Sequence, residues 1–347
     1  MTVREIAKLA GVTIGTVDRV LNKRGRVSAV TKERIEAIIE KYQFTPNPIA
    51  QRLKRNQHYR FCAFIPNRKH DAGYWEQIIT GIERAANEIK TLGTETEIIE
   101  FDRYDPAVFQ QISDLINEKN PDGLLFAPIM PDRIRPIIEK ITLKKKPFVF
   151  VDTDVPETSP LCVISQNPFS SGYLAGRLFH LFAGVISKPV AVLDPHGEDY
   201  DIIRRRDGFL SYAKKHNFQV VVRDYSDYEG TEISIEEIRR FLKEYPDLSG
   251  LFITNCMAHR VAEAVALQWK NTRTRSRPFL LVGYDLIPEN RRLLLEGRIS
   301  AIIAQRPEEQ GREALLTLFR SVVLKQNVAD RWEIPLDVYI RENTPLS

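Results

Sequence analysis

From residue 60 onward, apolar runs of strand length alternate with amphipathic stretches of helical length, and this alternation narrows the fold more than any other feature of the chain. The runs fall at 60–66, 97–101, 123–128, 147–152, 190–194, 219–223, 250–255, 279–285 and 299–305. Between them the spacing predicts helices at 75–90, 171–183, 202–216, 233–245, 258–269 and 308–324. Strands that are apolar along nearly their whole length are buried on both faces, as in parallel sheets covered by helices. About 290 residues exceed what one small core needs, so an α/β fold with two doubly wound parallel-sheet lobes is expected. The closing stretch, 332–341, reads as one more strand and not as a heptad tail.

Ligands of such sheets bind beyond the carboxyl ends of the strands. Polar residues gather there. Asp152 ends the run Phe148-Val149-Phe150-Val151, Asn255 ends Leu251-Phe252-Ile253-Thr254, Asp285 ends Leu281-Val282-Gly283-Tyr284, and Gln305 ends Ala301-Ile302-Ile303-Ala304. Any one of them could instead cap the next helix. Four at equivalent places favour a shared cleft.

The first 60 residues differ in kind. They hold 13 Lys/Arg against 5 Asp/Glu, a net of +8, and the remainder holds 37 against 41, a net of −4, so the overall +4 conceals a basic head on a slightly acidic body. Charge segregated in this way marks a chain that grips phosphate with one end. Thr2 and Glu5 are spaced as a capping box for a helix over 3–9. Ile6, Leu9 and Ala10 fall on its inner face, Gly11 permits a tight turn, and Thr13 can cap a second helix that carries Val17, Val20 and Leu21 inward. In a helix-turn-helix the second helix enters the major groove with its N-terminal residues at the base edges. Here those are Ile14, Gly15 and Thr16, with Arg19 one turn on, within reach of guanine or phosphate. Small three-helix bundles in general share this spacing; the charge is what favours DNA. A third helix over 31–42 carries Ile35, Ile38, Ile39 and Tyr42 on one face. Beyond it Asn47 is a favoured cap and Pro48 a favoured first helical residue. Only about six or seven helical residues follow, whereas isolated helices shorter than about 12–15 residues are marginal in water. This helix needs an ordering partner.

These residues resemble the DNA-binding head of the lactose-repressor/galactose-repressor family. The motifs are Ile6-Ala7-Lys8-Leu9-Ala10-Gly11-Val12-Thr13, Thr16-Val17-Asp18-Arg19-Val20-Leu21-Asn22, Val27-Ser28 and Asn47-Pro48-Ile49-Ala50-Gln51-Arg52-Leu53. By that likeness Thr13, Ile14, Gly15, Thr16, Arg19 and Asn22 occupy recognition-helix positions that meet DNA, with Thr2 counted among the DNA-facing set. Asn47, Ala50 and Leu53 belong to a hinge helix, and paired Leu53 side chains would pry open the central step of a pseudo-palindromic double-stranded operator. A homodimer is implied. Two positions depart from the family: Asp18 replaces a serine near phosphate and needs Arg19, Lys23 or Arg24 to neutralise it, and Gly15 offers no side chain for base reading.

The body resembles the two-lobed sugar-binding fold shared by that family and the periplasmic ribose-type binding proteins (periplasmic-binding-protein type I). The similar segments are Tyr74-Trp75-Glu76-Gln77 with Gly81-Ile82, Ser165-Gln166-Asn167 with Gly172-Tyr173-Leu174-Ala175-Gly176, Arg205-Arg206-Asp207-Gly208-Phe209, Val282-Gly283-Tyr284-Asp285, and Ala304-Gln305-Arg306-Pro307 with Gln310-Gly311. On that likeness Arg205, Asn255, Asp285, Gln305 and Asp152 contact the ligand, and Tyr74 and Trp75 form the aromatic pair that sandwiches a sugar ring. Cys256 stands where many relatives have aspartate. The implied division is a head over 1–46, a hinge over 47–59, and a two-lobed domain over 60–347, with the N-lobe at about 60–166 and 306–333 and the C-lobe at about 167–305 and 334–347.

The chemistry stands beside the likeness. A pyranose offers hydroxyls for Asp, Asn, Gln and a forked Arg, and an apolar face for an aromatic ring. The run Arg204-Arg205-Arg206 also admits an acidic sugar or sugar phosphate, although two of the three are expected to face solvent.

An enzyme finds little support. The histidines at 58, 70, 180, 196, 216 and 259 form no metal-spaced pair, and no nucleophile elbow, phosphate loop or dinucleotide fingerprint is present. The segment His196-Gly197-Glu198-Asp199-Tyr200-Asp201 is the nearest candidate for a metal or acid/base cluster, its alternative being a polar loop at the cleft mouth. Cys62, Cys162 and Cys256 read as buried thiols in a reducing compartment. No cofactor and no metal is expected. Residues 1–11 are amphipathic and carry Arg4, Glu5 and Lys8, unlike an export signal, and no run of 18 apolar residues exists, so a cytoplasmic, membrane-free protein is expected. The expectation is a ligand-responsive bacterial transcription regulator that binds its operator as a homodimer, controlled by a monosaccharide or derivative in the inter-lobe cleft. The alternatives are a sugar-binding protein of the same fold without regulatory DNA binding, and an enzyme with an unrecognised site. Whether ligand releases or promotes DNA binding is open.

Overall fold

A computed structural model describes residues 1–21, 24–42, 44, 58–194, 199–224, 234–269 and 279–345. The chain divides into two units, Met1–His58 and Tyr59–Ser347.

In the first unit, α1 (Val3–Ala10), α2 (Ile14–Leu21) and α3 (Ala29–Lys41) enclose a small core of Ile6, Ala7, Ala10, Val17 and Ile35. The capping box forms at both bonds. The Glu5 amide donates to Thr2 Oγ1 at 3.3 Å and the Thr2 amide to Glu5 Oε2 at 2.7 Å. Gly11 closes α1 with φ at +65°, a conformation in which a Cβ would be strained, and the Thr16 amide then donates to the Thr13 hydroxyl at 3.2 Å, starting α2. Leu9 departs from expectation, being 54% exposed. Positions 6, 7 and 10 lie within one turn-face at about 100° per residue, and position 9 rotates out of it. The third helix starts earlier than the spacing suggested because Ser28 caps it, accepting from the Thr31 amide at 3.3 Å. Its inner face ends at Ile39, with Tyr42 exposed. Asn22, Asn47, Ala50 and Leu53 lie outside the described residues.

In the second unit the strands are β1 (Tyr59–Pro66), β2 (Thr94–Phe101), β3 (Gly123–Phe126), β4 (Phe148–Val151), β5 (Cys162–Ser165), β6 (Val190–Asp194), β7 (Val220–Asp224), β8 (Gly250–Ile253), β9 (Leu280–Tyr284), β10 (Ala301–Ala304), β11 (Arg331–Glu333) and β12 (Asp337–Tyr339). The helices are α4 (Tyr74–Lys90), α5 (Val108–Lys119), α6 (Pro131–Leu143), α7 (Pro168–Ala183), α8 (Tyr200–Lys215), α9 (Ile235–Glu244), α10 (Ala258–Trp269), α11 (Pro288–Leu295) and α12 (Pro307–Val322). Two six-stranded sheets result, ordered β11-β5-β4-β3-β1-β2 and β12-β10-β9-β8-β6-β7. Every residue of β3, β4, β5, β8, β9 and β10 is buried, as strands covered on both faces require.

The closing stretch is not one strand. β11 lies parallel to β5 in the first sheet, and β12 pairs antiparallel with β10 in the second. Pro335 stands between them, has no N–H for a ladder, and lets the chain pass from one sheet to the other. The chain changes sheets there, between β5 and α7, and between β10 and α12. Gln166 ties all three passages together, its Nε2 donating to the Ala304 carbonyl at 2.6 Å and the Pro335 carbonyl at 2.8 Å.

Two helix pairs touch backbone to backbone. A Cβ at Gly81 would collide with the Glu308 carbonyl and one at Gly311 with that of Ile78, joining α4 to α12. A Cβ at Gly172 would collide with the Arg205 carbonyl and one at Gly208 with that of Phe169, joining α7 to α8. In both sheets the strand order reverses direction, between β1 and β3 and between β6 and β8, which opens a crevice at the carboxyl ends. Among the described residues no helix is long and apolar enough to cross a membrane, and no group of three or more His, Cys, Asp or Glu is arranged to hold a metal ion.

Candidate functional site

The polar residues at the strand ends and the aromatic pair converge. Tyr74, Trp75, Asp152, Arg205, Asn255, Asp285 and Gln305 all line one cavity, together with Asp71, Arg103, Asp199, Asp201 and Cys256. Its free volume is about 40 Å³. That admits a water or so and no sugar ring. A second, wider cavity of about 360 Å³ shares Asp152 and Asp201 and is lined further by Asn167, Phe169, Tyr200, Arg204 and Arg331.

Arg205 is the centre of the arrangement. It leaves the first turns of α8, is 3% exposed, and lies over the Tyr284 ring at 4.1 Å. Its Nη1 donates to the Thr254 carbonyl at 2.8 Å and its Nη2 to Gln305 Oε1 at 2.6 Å, while Asp201, one turn earlier on α8, pairs with it at 3.1 Å. Gln305 then turns its amide to both oxygens of Asp285, at 3.0 and 3.1 Å. Asp152 accepts from the Tyr74 hydroxyl at 2.5 Å, and its own amide donates to Gln310 Oε1 at 3.1 Å. Asp152 and Asp285 both sit at strand ends with positive φ, 76° and 63°, which swings their carboxylates into the cleft. Asn255 anchors its Oδ1 on the Met257 amide at 3.0 Å. Its Nδ2 has no hydrogen-bond partner although the residue is 8% exposed.

Burial governs the charge state. It pushes Asp152 up to about 8, with the nearby Asp201 carboxylate adding to the effect. It pushes Asp285 up to about 7 against the opposing pull of Arg205 and Gln305. Asp201 is likewise raised by burial, with Arg205 pulling the other way.

Two expectations change. Tyr74 and Trp75 do not form a sandwich, since their rings meet edge to face, with centroids 5.2 Å apart and planes at 79°. Neighbours in sequence at a helix start point about 100° apart, so the two rings form a wall and not parallel plates. Each is also anchored, Trp75 Nε1 donating to Asp71 Oδ2 at 2.6 Å. The three consecutive arginines are all committed: Arg206 pairs with the wholly buried Asp194 at 2.9 Å, and half-buried Arg204 pairs with Asp207 at 3.2 Å and covers the Phe169 ring at 5.0 Å. Cys256 fills the position expected of an aspartate with a buried thiol, its Sγ donating to the Asp71 carbonyl at 3.2 Å. Cys62 and Cys162 are buried free thiols too. Of the segment 196–201 only 199–201 is described, and Asp199 there accepts from Arg103 at 2.9 Å and from the Met130 amide at 2.8 Å.

Sequence reasoning missed Asp71, Arg103, Asp201, Gln166 and Gln310 as parts of this network. Asp201 was accessible, because it stands four residues before Arg205 on a helix, the spacing that pairs opposite charges. Asp71 and Arg103 gave no such signal; they follow β1 and β2 at positions where the strands had already ended.

In the first unit, Thr13, Ile14, Gly15 and Arg19 are exposed on or beside α2, with Thr16 half-buried. Thr13 and Thr16 share a hydroxyl contact at 3.0 Å, and Thr2 caps α1. Asp18 is exposed. Arg4, Lys8, Arg24 and Arg26 are exposed on the same unit.

Residues 2–47 match the bacterial regulatory proteins of the lacI family, and residues 62–325 match the periplasmic binding protein domain. The chain is 24% identical to the NTD biosynthesis operon regulator NtdR of Bacillus subtilis (strain 168), over 99% of each chain. It is 25% identical to the ribose operon repressor of Halalkalibacterium halodurans, over 99% of this chain and 97% of that one. The HTH-type transcriptional regulator DegA of Bacillus subtilis is 27% identical over 51% of this chain and 50% of its own length. Among solved structures, a putative LacI transcriptional regulator from Bacteroides fragilis superposes with a TM-score of 0.73 at 25% identity, covering 83% of this chain and 98% of that one.

Proposed function

Given that the chain belongs to the lacI family of bacterial regulatory proteins and carries a periplasmic binding protein domain, and is thus a ligand-responsive transcription regulator, we propose that it binds a pseudo-palindromic operator as a homodimer under the control of a carbohydrate held between its lobes. The observation that carries the cleft assignment is the convergence of seven residues from six separate stretches of chain on one cavity at the carboxyl ends of two sheets. Arg205, Asn255, Asp285, Gln305 and Asp152 serve the ring hydroxyls, and the Tyr74–Trp75 wall takes its apolar face. A ribose operon repressor among the relatives supports a carbohydrate effector. Thr2, Thr13, Ile14, Gly15, Thr16, Arg19 and Asn22 face the major groove in this reading, and Asn47, Ala50 and Leu53 form a hinge helix whose leucine enters the minor groove. The head is then 1–46, the hinge 47–59, and the effector domain 60–347. The protein acts where the DNA is, in the cytoplasm.

Control follows from differential affinity. A ligand that favours one relative orientation of the lobes changes how often the two hinge segments of a dimer meet, and so changes the grip on DNA, typically by about 1–3 kcal/mol of coupling. The test is to select binding sites from random-sequence DNA with the full chain and then to titrate monosaccharides against the selected duplex. A palindromic consensus whose affinity shifts with a sugar is the expected result. Failure to enrich any sequence, or an enriched sequence indifferent to every cleft ligand, would refute the proposal.

A further inference from the structure

The turn that carries Asp285 out of β9 is left-handed, with φ at +63°, a conformation that costs a side chain strain and persists only where its surroundings dictate it. Asn290 is what surrounds it. Along an extended strand consecutive carbonyls point to opposite neighbours, whereas here those of Tyr284 and Asp285 converge on one donor, Asn290 Nδ2, at 3.0 and 2.9 Å. The same nitrogen reaches the Cys256 carbonyl at 2.7 Å. Three carbonyls share two hydrogens, so at least one hydrogen is split between acceptors, and only the nitrogen of the amide suits the position. Its orientation is thereby fixed.

Asn290 is 0% exposed and stands in the first turn of α11, where side chains lean toward the helix start and so back onto the loop that follows β9. Asparagine is a weak helix former, so α11 itself does not favour it there. What it joins are the two strand ends that face the cleft. The β8–β9 ladder pairs Phe252 with Val282, and past that point the Tyr284 amide reaches the Asn255 carbonyl at a long 3.4 Å. Asn290 supplies the closer tie, from the Cys256 carbonyl beside Asn255 to the carbonyls on either side of the Asp285 amide. Asn290 does not line the inner cavity, whereas Asn255, Cys256 and Asp285 all do. We infer that Asn290 is the positioning residue of this half of the cleft: one buried amide sets Asn255 against Asp285, holds the left-handed turn that aims the Asp285 carboxylate, and so governs effector affinity without touching the effector. This rests on the cleft being the effector site.

The experiment compares the full chain with Asn290→Leu, which keeps the branched outline and removes the donor, and Asn290→Asp, which keeps the shape and puts an acceptor in its place. The first readout needs no sugar. Iodoacetamide labelling under native conditions, resolved by mass spectrometry, follows the three buried thiols, of which Cys256 lies in the tied loop and Cys62 and Cys162 in the first sheet. Cys256 should label about tenfold faster or more in the variants, as local opening of its loop requires, while the other two keep their rates. Equal acceleration at all three would mean a general loss of stability, and an unchanged Cys256 would mean a loop that stands without Asn290; either result overturns the inference. Should Asn290→Asp fail to fold, Asn290→Leu decides. The second readout is isothermal titration with D-ribose, D-glucose and D-galactose. Whichever of them binds the unaltered protein should bind the variants about tenfold more weakly or worse, the scale of a buried carbonyl left unpaired. Unchanged affinity overturns the positioning role even where Cys256 has become reactive. Absence of binding by all three sugars to the unaltered protein counts against the carbohydrate reading instead, and the labelling ratio then decides the role of Asn290 in the cleft.

Discussion

Asp285 shows how a single residue sets stability against function. It is 4% exposed, accepts two hydrogen bonds from Gln305, and is held up to about 7 by burial. Its unfolded counterpart ionises in the ordinary carboxylate range, so between about pH 4 and 7 the folded chain binds more protons than the unfolded chain and stability falls as pH rises. Above that window the deficit is constant. Asp285→Asn should therefore stabilise the ligand-free protein at pH 8, on the order of 2–4 kcal/mol, and change it little at pH 4. Urea denaturation at the two pH values checks this, and an equal offset at both would show that ionisation of Asp285 is not the cause. Arg205 presents the opposite case. Its fork reaches Thr254, Gln305 and Asp201 at once and its plane stacks on Tyr284, a geometry that an ammonium on a flexible stem cannot reproduce. Arg205→Lys should leave at least one buried partner unsatisfied, at about 1–3 kcal/mol, and weaken the effector by tenfold or more in titration. Unchanged affinity would remove the guanidinium from the site.

At the scale of elements, the helices and strands that the sequence made legible are those with long, regular patterns. The capping box at Thr2 and Glu5, the turn at Gly11 and the strand ends at Asp152, Asn255, Asp285 and Gln305 each rest on local chemistry that a short window contains. Illegible elements had reasons too. β5 offers only Cys162, Val163 and Ile164 before the polar run Ser165-Gln166-Asn167, α6 carries Pro136 in its interior, and α11 is a single eight-residue stretch opening on Pro288, so none shows enough pattern to stand out. The break at Pro335 was missed because apolar residues continue on both sides of it. Leu9 is misassigned when the inner face of this eight-residue helix is read from residue type and not from angle. What the local patterns could not reveal is why certain glycines recur in the matching segments. Gly172 and Gly208 let α7 and α8 meet backbone to backbone, and the carbonyl that Gly172 abuts belongs to Arg205 itself. Gly172→Ala must push α8 away, and with it the residue on which the cleft is centred. Overpacking of this kind costs about 1–3 kcal/mol, so both a lower unfolding midpoint and a weaker effector affinity are expected. Gly184→Ala, at the end of the same helix, meets no atom within 4 Å, although its φ of +68° strains a side chain, and serves as the comparison that loses stability without losing affinity. Equal losses of affinity in the two variants would show that the contact with Arg205 is incidental.

Across the whole molecule, a basic head of net +8 and a body of net −4 divide the labour between phosphate and effector. Operator affinity should fall steeply with salt, since each neutralised phosphate adds about 0.9 to the logarithmic slope; a flat dependence would not fit such a head. Communication between the two tasks has to pass through a body whose lobes share three chain passages, and Gln166 holds those passages in register by one amide nitrogen shared between Ala304 and Pro335. Rotation of the lobes changes the relative positions of those passages, so this bond stiffens the body against any rotation that separates them. Gln166→Leu keeps the volume and removes both donors, leaving the buried Ala304 carbonyl without this partner at about 1–3 kcal/mol and the more accessible Pro335 carbonyl open to water. The side chain does not line the inner cavity with Arg205 and Asp285, so effector affinity for the closed cleft has no direct contact to lose. The variant should bind its ligand within a fewfold of the unaltered protein, yet the ligand should change operator affinity by a smaller factor, because closure is less firmly transmitted to the rest of the body. Parallel titrations of ligand alone and of operator with and without ligand separate the two quantities. A ligand effect on operator affinity that survives in full, in a variant shown to be destabilised, would mean that coupling between cleft and DNA does not run through the tie at Gln166.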